Sequence, residues 1–256
     1  MCIRDSYNSV QLPGNTSFQS RTDEMCGFNV AGPKSREILQ RLSNQDLSNK
    51  NWAFMRSGNL SIAGVSCLAL RISFTGDLGW EIYCEANKQR VVYEALVKEA
   101  FNEQGGPVGS RALMSLRIEK GYGSWSREYS PEVWPHECGL DKLCRLDKEF
   151  LNKGELEKKL KINPRENLML IHLNEEDCSS SNADATGGEP VFKNGKGLGR
   201  VTSGAYGYTV GMSLALGYLR DVSPGDDVEV MVLGQPHRGK VLKASPFDPD
   251  GKILRG

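Results

Sequence analysis

A succession of short strand-like segments fills the last third of the chain, and this pattern restricts the fold more than any other feature. Each segment is rich in apolar and β-branched residues, and turn residues separate one segment from the next. Such regular spacing is typical of a small β-rich domain or barrel. The segments, all within residues 165–256, are NLMLIHL, EPVFKNGKGLGRVTSG, SLALGYL and DDVEVMVLGQPHRGKVLKA.

Helix-like and strand-like patterns alternate in the part of the chain that precedes this β domain. Apolar residues at helical spacing predict one helix after Pro33 and another over residues 87–101. A loop is predicted at 176–190, where EDCSSSNADATGGEP is short of apolar residues. We therefore predict an α+β fold with a domain boundary near residues 161–164.

The composition narrows the classes of partner. The 256 residues include 32 basic and 32 acidic side chains, and this balance argues against a nucleic-acid or membrane-surface binder. No run of about 18 apolar residues predicts a membrane helix. The seven scattered cysteines indicate free thiols in a reducing compartment, so we expect cytoplasmic localisation, or the mitochondrial matrix in a eukaryote. The three histidines lie far apart in the sequence and predict no metal site.

The first 25 residues show no folding pattern. Residues 1–6 have no apolar core, and they resemble a vector- or adapter-derived leader rather than a signal peptide. The polar residues that follow are typical of a loop or of the irregular edge of a domain whose upstream part has been cut off. We therefore assign residues 1–25 to a leader or to the remnant of an upstream region, and we leave them out of the fold prediction.

The stretch SFTGDLGWEIY, residues 73–83, contains an acid in an unusual place. Side chains alternate along a strand, so Trp80 and Ile82 would face one side and Glu81 the other. The glycine-containing TGDLG run predicts a turn that precedes this strand. A half-buried partner strand is predicted before the turn. Its apolar residues Leu68, Leu70, Ile72 and Phe74 alternate with Ala69, Arg71 and Ser73. Glu81 is then either solvated or positioned for a ligand.

An arginine stands at a similarly unusual position in the helix predicted for SRALMSLRIEKG. Ser110 is a suitable N-cap and Gly121 a suitable residue after the C-terminus. Arg111 then falls in the first helical turn, where the helix dipole disfavours a cation by about 0.3–1 kcal/mol. The residue either reaches into water or has an anionic partner, which could be Glu81 or a ligand.

Five motifs together resemble one known family. RISFTGDLGWEIY, RALMSLRIEKGYGSW, WPHECGLDKLCRLDKEFL, VTSGAYGYTVGMSLALGYL and SPFDPDGKILRG occur in the same order as similar motifs of the glycine-cleavage T-protein (aminomethyltransferase) superfamily. The resemblance covers about residues 26–256. EKGYGSW and the closing SPFDPDGKILRG are most similar to the C-terminal folate-binding region of dimethylglycine and sarcosine dehydrogenases.

The resemblance implies roles for three residues. Glu81 matches the family glutamate that binds the pterin ring of tetrahydrofolate, and Arg111 matches an arginine that contacts folate. Phe74 stands where the family often has a tyrosine, so its ring could pack beside folate without donating a hydroxyl hydrogen bond. Arg117 and Glu119 also match family letters, and an ion pair inside the fold would explain both equally well. The family's catalytic aspartate belongs to a part upstream of this chain, so no catalytic residue is assigned here.

The resemblance also implies a function. The expected role is the tetrahydrofolate-binding part of an FAD-dependent dimethylglycine or sarcosine dehydrogenase, which captures a glycine-derived iminium and forms 5,10-methylenetetrahydrofolate. FAD would then belong to a missing upstream domain of the same chain, and we expect this chain to be inactive alone. One alternative is an aminomethyltransferase of the glycine cleavage system. Another is a non-catalytic folate-binding regulatory protein, although the cysteine-containing hallmark of that group is absent.

The family's architecture implies the domain bounds. A partial folate-binding domain is expected over residues 26–160, followed by a small C-terminal β-barrel domain over residues 165–256. The folate site is assigned to the first of these domains.

Overall fold

The computed structural model of the protein describes residues 14–174 and 183–256. Part of the predicted leader and part of the loop predicted at 176–190 therefore lie outside the described residues. The chain divides into two compact units. The described residues of the first unit are 14–30, Lys34–Arg71 and Trp80–Gly105, and the second unit comprises Ala31–Pro33, Ile72–Gly79 and Gly106–Gly256.

A four-stranded sheet and two helices form most of the first unit. The spatial order of the strands is β1-β4-β3-β2, with β2 and β4 both antiparallel to β3. The helices bury their apolar stripes, which include Leu39 in the first helix and Val92 in the second. The elements are β1 (Met25–Ala31), α1 (Ser35–Leu42), β2 (Ser57–Ile62), β3 (Val65–Leu70), β4 (Gly79–Glu85) and α2 (Gln89–Asn102).

The two faces of β3 are reversed relative to the prediction. The alternation of apolar residues predicted that Leu68 and Leu70 face the core, but Leu68 is 45% exposed and Leu70 is only partly buried. The smaller Cys67 and Ala69 are buried instead. Ala69 pairs with Ile82 across the ladder, so these small residues lie on the buried face of the sheet.

A large tryptophan explains the small residues on this buried face. Trp80 is 1% exposed, as its position beside Ile82 predicted. Its ring lies on the same buried face as Ala69 and Ile82, and small side chains suit a close-packed face that also holds a large ring. The buried guanidinium of Arg71 lies over the same ring, 4.8 Å from its centroid. Burial, and to a smaller extent the charge of Arg36, lowers the pKa of Arg71 to about 10.

A closed six-stranded barrel forms the centre of the second unit, in the order β10-β5-β8-β7-β6-β9. Alternate side chains from every strand fill its interior, including Ile171, Val191 and Val230. The prediction of an α+β fold that ends in a β-barrel is therefore confirmed. The strands are β5 (Asn167–Leu173), β6 (Pro190–Lys193), β7 (Lys196–Gly207), β8 (Met212–Leu219), β9 (Asp227–Val232) and β10 (Gln235–Val241).

Helix α3 (Ser110–Glu119) packs against the outside of this barrel. Its Ile118 joins Leu170, Leu214 and Leu216 in a second apolar cluster. Ser115 fixes the contact, because its hydroxyl donates to the carbonyl oxygen of Tyr206 at 2.5 Å. The helix starts one residue earlier than predicted: Gly109 is the N-cap and Ser110 the first helical residue. Two short helices complete the unit, α4 (Lys153–Leu160) and α5 (Lys252–Arg255).

A fully buried ion pair connects α3 to the loop that follows it and to the barrel. The Arg117 guanidinium lies 3.1 Å from the Glu128 carboxylate, and both side chains are 0% exposed. Glu128 also accepts hydrogen bonds from the Ser124 amide and from the Thr202 and Ser203 hydroxyls. Burial alone would raise the pKa of Glu128, but these hydrogen bonds and the charge of Arg117 hold it below its ordinary value.

A second buried carboxylate, in the region between α3 and α4, is bound to the segment that precedes β5. Glu137 accepts two hydrogen bonds from the Arg165 guanidinium, at 2.8 and 2.9 Å, and one from the Trp134 amide. These bonds, led by those from Arg165, lower the pKa of Glu137 to about 2. The carboxylate therefore stabilises the folded state only while it is ionised.

Breaking the Glu128 ion pair should destabilise the second unit strongly. The change Glu128→Gln leaves the buried charge of Arg117 without a counter-ion, which costs about 3–5 kcal/mol of the free energy of unfolding. Urea denaturation followed by circular dichroism measures this loss. The matched control is Asp147→Asn, which breaks the exposed pair with Arg145 and should change the midpoint little. Equal losses in the two variants would show that burial of the pair is not what stabilises it.

The Glu137 interaction should disappear in acid. A carboxylate whose folded pKa is depressed contributes stability that is present above its unfolded pKa, about 4.3, and is lost as pH falls through about 2. Glu137→Gln should therefore be less stable than the wild type at neutral pH, with a difference that shrinks steadily below about pH 4.3. Urea denaturation at several pH values tests this, and a difference independent of pH would contradict it.

Candidate functional site

Glu81 lies on β4 of the first unit, on the face opposite Trp80 and Ile82, as the sequence predicted. It pairs with Leu70 across the β3–β4 ladder and is half-buried. Cross-strand partners share a face, so Glu81 lies on the same face as Leu70 and, through Tyr83, Leu68. An acid in this setting loses part of its hydration, and it gains from any donor that replaces the lost water.

Tyr83 provides one such donor. Its hydroxyl donates a hydrogen bond to Oε2 of Glu81 at 2.7 Å. That hydrogen bond and, to a smaller extent, burial raise the pKa of Tyr83 to about 12. The phenol therefore stays protonated at physiological pH and holds the carboxylate in one orientation. A glycine makes room for the ring, because a Cβ atom at Gly27 would stand 2.9 Å from Cε1 of Tyr83.

Glu81 keeps unused hydrogen-bonding capacity. Its only hydrogen bond among the described residues is the one from Tyr83. A carboxylate has about four acceptor sites on its two oxygens, so Oε1 and part of Oε2 remain available. Tyr83 lies two residues after Glu81, so the sequence predicts that it shares the face of Glu81, but the sequence indicates no role for it. The spacing of two residues between them was the signal that could have identified the pair.

Phe74 belongs to the second unit, in the segment Ile72–Gly79, and its ring is half-buried. The segment is held close to α3. Gly76 has φ +85°, and a Cβ atom there would lie 2.6 Å from the side chain of Lys120. A left-handed conformation and this close approach both require glycine. The backbone that carries Phe74 is therefore fixed in position.

An acid in the same segment has an unusual environment. Asp77 accepts a hydrogen bond from the Thr75 hydroxyl at 3.3 Å. Burial raises the pKa of Asp77, and the nearby charges of Glu119 and Asp248 act in the same direction. The sequence predicted Asp77 only as a turn residue. Nothing in the local pattern indicates that the carboxylate is partly buried near Glu119 and Asp248.

Arg111 lies in the first turn of α3, as predicted, and also belongs to the second unit. Its side chain is exposed and makes no hydrogen bond or ion pair with a described residue. It is therefore free to meet an anion. Whether its partner is Glu81, as one reading of the sequence suggested, stays a prediction.

Two other residues that match family motifs have structural partners. Arg117 forms an ion pair, but with Glu128 and not with Glu119. Glu119 accepts a hydrogen bond from the Thr209 amide at 2.8 Å instead. The explanation by an internal ion pair is therefore confirmed for Arg117, with a different partner.

Metal-binding clusters and membrane-spanning helices are both absent from residues 14–174 and 183–256. No group of three or more His, Cys, Asp or Glu side chains could hold a metal ion. None of the helices combines the length and the apolar character needed to cross a membrane.

Two family models match the chain. The GCVT N-terminal domain matches residues 4–148, and the glycine cleavage T-protein C-terminal barrel domain matches residues 170–248. The first match alone covers more than half of the sequence.

Several characterised proteins are similar over most of the chain. Human mitochondrial dimethylglycine dehydrogenase is 32% identical over 228 residues, which are 87% of this chain and 26% of that protein. Mouse mitochondrial sarcosine dehydrogenase is 32% identical over 92% of this chain and 26% of its own length. The aminomethyltransferase of Thermotoga neapolitana is 32% identical over 91% of this chain and 62% of its length. The chain thus spans about a quarter of the length of the two dehydrogenases.

A solved structure has the same fold. The glycine cleavage system aminomethyltransferase T from Bartonella henselae superposes with a TM-score of 0.75 over 88% of this chain and 60% of its own. At 20% sequence identity this similarity concerns the fold alone.

The Tyr83–Glu81 hydrogen bond can be tested by titration. In Glu81→Gln the carboxylate that stabilises the protonated phenol is gone, so the pKa of Tyr83 should fall from about 12 towards the ordinary value of about 10. A ¹³C NMR titration of the Tyr83 ring measures it. Glu94→Gln, which removes an exposed acid of α2, is the control and should leave this pKa unchanged. A Tyr83 pKa that does not move in Glu81→Gln would contradict the described geometry.

Proposed function

Because the chain belongs to the glycine cleavage T-protein family, we propose that it binds tetrahydrofolate as the one-carbon-accepting part of a dehydrogenase of the dimethylglycine or sarcosine type. The match to both family models and the 32% identity to two such dehydrogenases support this proposal. The flavin of that reaction would be held by a part of the protein other than the two units described.

The orientation of Glu81 is the observation that carries the proposal. A pterin edge presents a ring N–H and an exocyclic amine side by side, and a carboxylate can accept both in a fork. Tyr83 holds the Glu81 carboxylate from one side and leaves acceptor sites unoccupied. Since the carboxylate is already partly desolvated and oriented, binding a pterin costs less than it would at a mobile, fully hydrated acid.

Phe74 and Arg111 are also proposed to bind folate, as their match to the family motifs implies. The half-buried ring of Phe74 offers an apolar surface on which an aromatic ring system can pack. Arg111 has no partner among the described residues, and a folate carboxylate would provide one.

The chemical contribution of these residues is positioning. FAD, when bound elsewhere in the protein, would oxidise the N-methyl group of a methylated glycine to an iminium. The electrophilic carbon of that iminium is attacked by a folate nitrogen, which forms a carbon–nitrogen bond and releases the demethylated amine when the folate ring closes. Holding the folate by its pterin converts an encounter in solution into a local reaction. No residue of this chain is proposed as the acid or base of that step.

The family relationship also supports a second candidate. An aminomethyltransferase receives its one-carbon unit from an aminomethyl group on a lipoyl carrier and would use the same folate site. The 32% identity to the Thermotoga neapolitana aminomethyltransferase supports it. Release of ammonia from an aminomethyl-lipoyl carrier identifies the transferase, whereas oxidation of sarcosine or dimethylglycine identifies the dehydrogenase. For the dehydrogenase we propose the cytoplasm, or the mitochondrial matrix in a eukaryote.

Replacing Glu81 should weaken folate binding. Glu81→Gln cannot accept both pterin donors at full charge, so the affinity for tetrahydrofolate should fall by about 1.5–3 kcal/mol, or roughly 10- to 100-fold. Tyr83→Phe should weaken binding less, because the carboxylate loses orientation but keeps its charge. Anaerobic titration calorimetry measures both effects, with Glu94→Gln as the control of equal charge. Unchanged affinity in Glu81→Gln would remove Glu81 from the site, and a wild-type chain that binds no tetrahydrofolate would overturn the proposal.

A further inference from the structure

A polar cavity of about 520 Å³ lies on the second unit, and none of the proposed folate-binding residues lines it. This volume falls within the range of small-molecule sites, about 300–1,000 Å³. Its walls come from the loop after α3, from the segment before β5 and from the ends of β7 and β8. Four arginines line it: Arg127, Arg165, Arg200 and Arg220.

Two acidic residues of the cavity are already paired with arginines. Glu128 is paired with Arg117 inside the fold, and Glu137 is paired with Arg165. Hydrogen bonds from Arg165 to Glu137 chiefly raise the pKa of that arginine, and the charges of Glu166 and Glu132 add to the effect. Two acids of the lining, Glu132 and Glu166, therefore lie near Arg165, while Arg127, Arg200 and Arg220 form no ion pair with a described residue.

Two of those arginines are neighbours on one face of the barrel. Arg200 on β7 stands directly opposite Tyr218 on β8, and Arg220 follows Tyr218 by two residues. Arg200 and Arg220 are therefore diagonal neighbours on the face of the barrel that carries Tyr218. The Cα atoms of such diagonal neighbours are roughly 7–8 Å apart. Like charges at this separation repel each other, and neither side chain forms an ion pair with a described residue.

The third arginine is presented by a rigid loop. Arg127 directly precedes Glu128, whose buried carboxylate is held by Arg117, Ser124 and two barrel hydroxyls. In addition, the Tyr218 hydroxyl donates to the backbone oxygen of Glu128 at 2.7 Å. The backbone at Arg127 is thus fixed against β8, and its exposed guanidinium makes no hydrogen bond or ion pair with a described residue.

We propose that this cavity binds a small multivalent anion, one that carries two or more carboxylate or phosphate groups, through Arg127, Arg200 and Arg220. A guanidinium presents its N–H groups as a fork that matches the oxygens of a carboxylate or a phosphate. One anionic group between Arg200 and Arg220 relieves the repulsion of that pair, and a second reaches Arg127. The fixed loop and the strands hold the three backbone positions in place before the anion arrives, so that only the side chains become ordered on binding.

This site does not depend on the proposed folate function, so it is tested separately. Titration calorimetry of the whole chain with pyrophosphate, citrate and acetate compares the two multivalent chemistries with a single carboxylate. The variants are Arg200→Gln and Arg220→Gln, which remove one charge each from exposed positions. The matched control is Arg90→Gln, whose side chain is 86% exposed on α2 in the first unit.

The expected result is binding of pyrophosphate or citrate that is weakened about tenfold in each cavity variant, as loss of a charge-assisted hydrogen bond predicts, and unchanged in Arg90→Gln. Acetate should bind far more weakly, and added salt should reduce the affinity of the multivalent anion. A preference for pyrophosphate over citrate, or the reverse, identifies phosphate or carboxylate as the natural group. The proposal is overturned if neither multivalent anion binds, if acetate binds equally well, or if Arg90→Gln weakens binding as much as the cavity variants do.

Discussion

The second unit depends on one buried carboxylate. The Glu128 carboxylate pairs with a guanidinium of α3 and accepts hydrogen bonds from an amide of its own loop and from two hydroxyls of β7. Because a buried charge is tolerated only when it is paired and hydrogen-bonded, these four partners can occupy only a narrow range of positions. The same contacts therefore fix α3 on the barrel, hold the loop after it and orient Arg127. Arg111 shares this helix, so its backbone position is set by the Arg117 end of α3.

The barrel and most helices could be predicted from the sequence because local rules decide them. Turn residues mark the ends of the barrel strands, and the Asn194–Gly195 turn closes the hairpin of β6 and β7. By contrast, the role of Glu128 could not be predicted. Its hydroxyl partners Thr202 and Ser203 lie 74 and 75 residues away, and no periodic pattern encodes a contact at such a separation.

The reversal of β3 shows how packing overrides an alternation of hydrophobicity. Leu68 and Leu70 are more apolar than Ala69, so the pattern alone favoured them for the core. Packing volume decided the outcome instead, since Trp80 occupies the buried side and leaves room for small neighbours. The consequence reaches the candidate site. With the leucines on the same face as Glu81, the carboxylate has an apolar surround that a planar ring system can share, which is a better setting for a pterin than a charged surface.

The closing motif of the chain illustrates why matching letters do not by themselves identify ligand contacts. Asp248, within SPFDPDGKILRG, pairs with Lys120 at 3.0 Å and accepts the amides of Lys252, Ile253 and Leu254 at the start of α5. Its acceptor sites are therefore satisfied inside the fold, as are those of Glu128. Glu81 differs because Tyr83 is its only hydrogen-bond partner among the described residues. A polar group whose partners are all internal is explained by folding, since replacing it costs stability in the absence of any ligand. A half-buried carboxylate that is oriented but unsaturated keeps acceptor sites for water or for a ligand, and for this reason Glu81 is the motif residue that we propose to bind one.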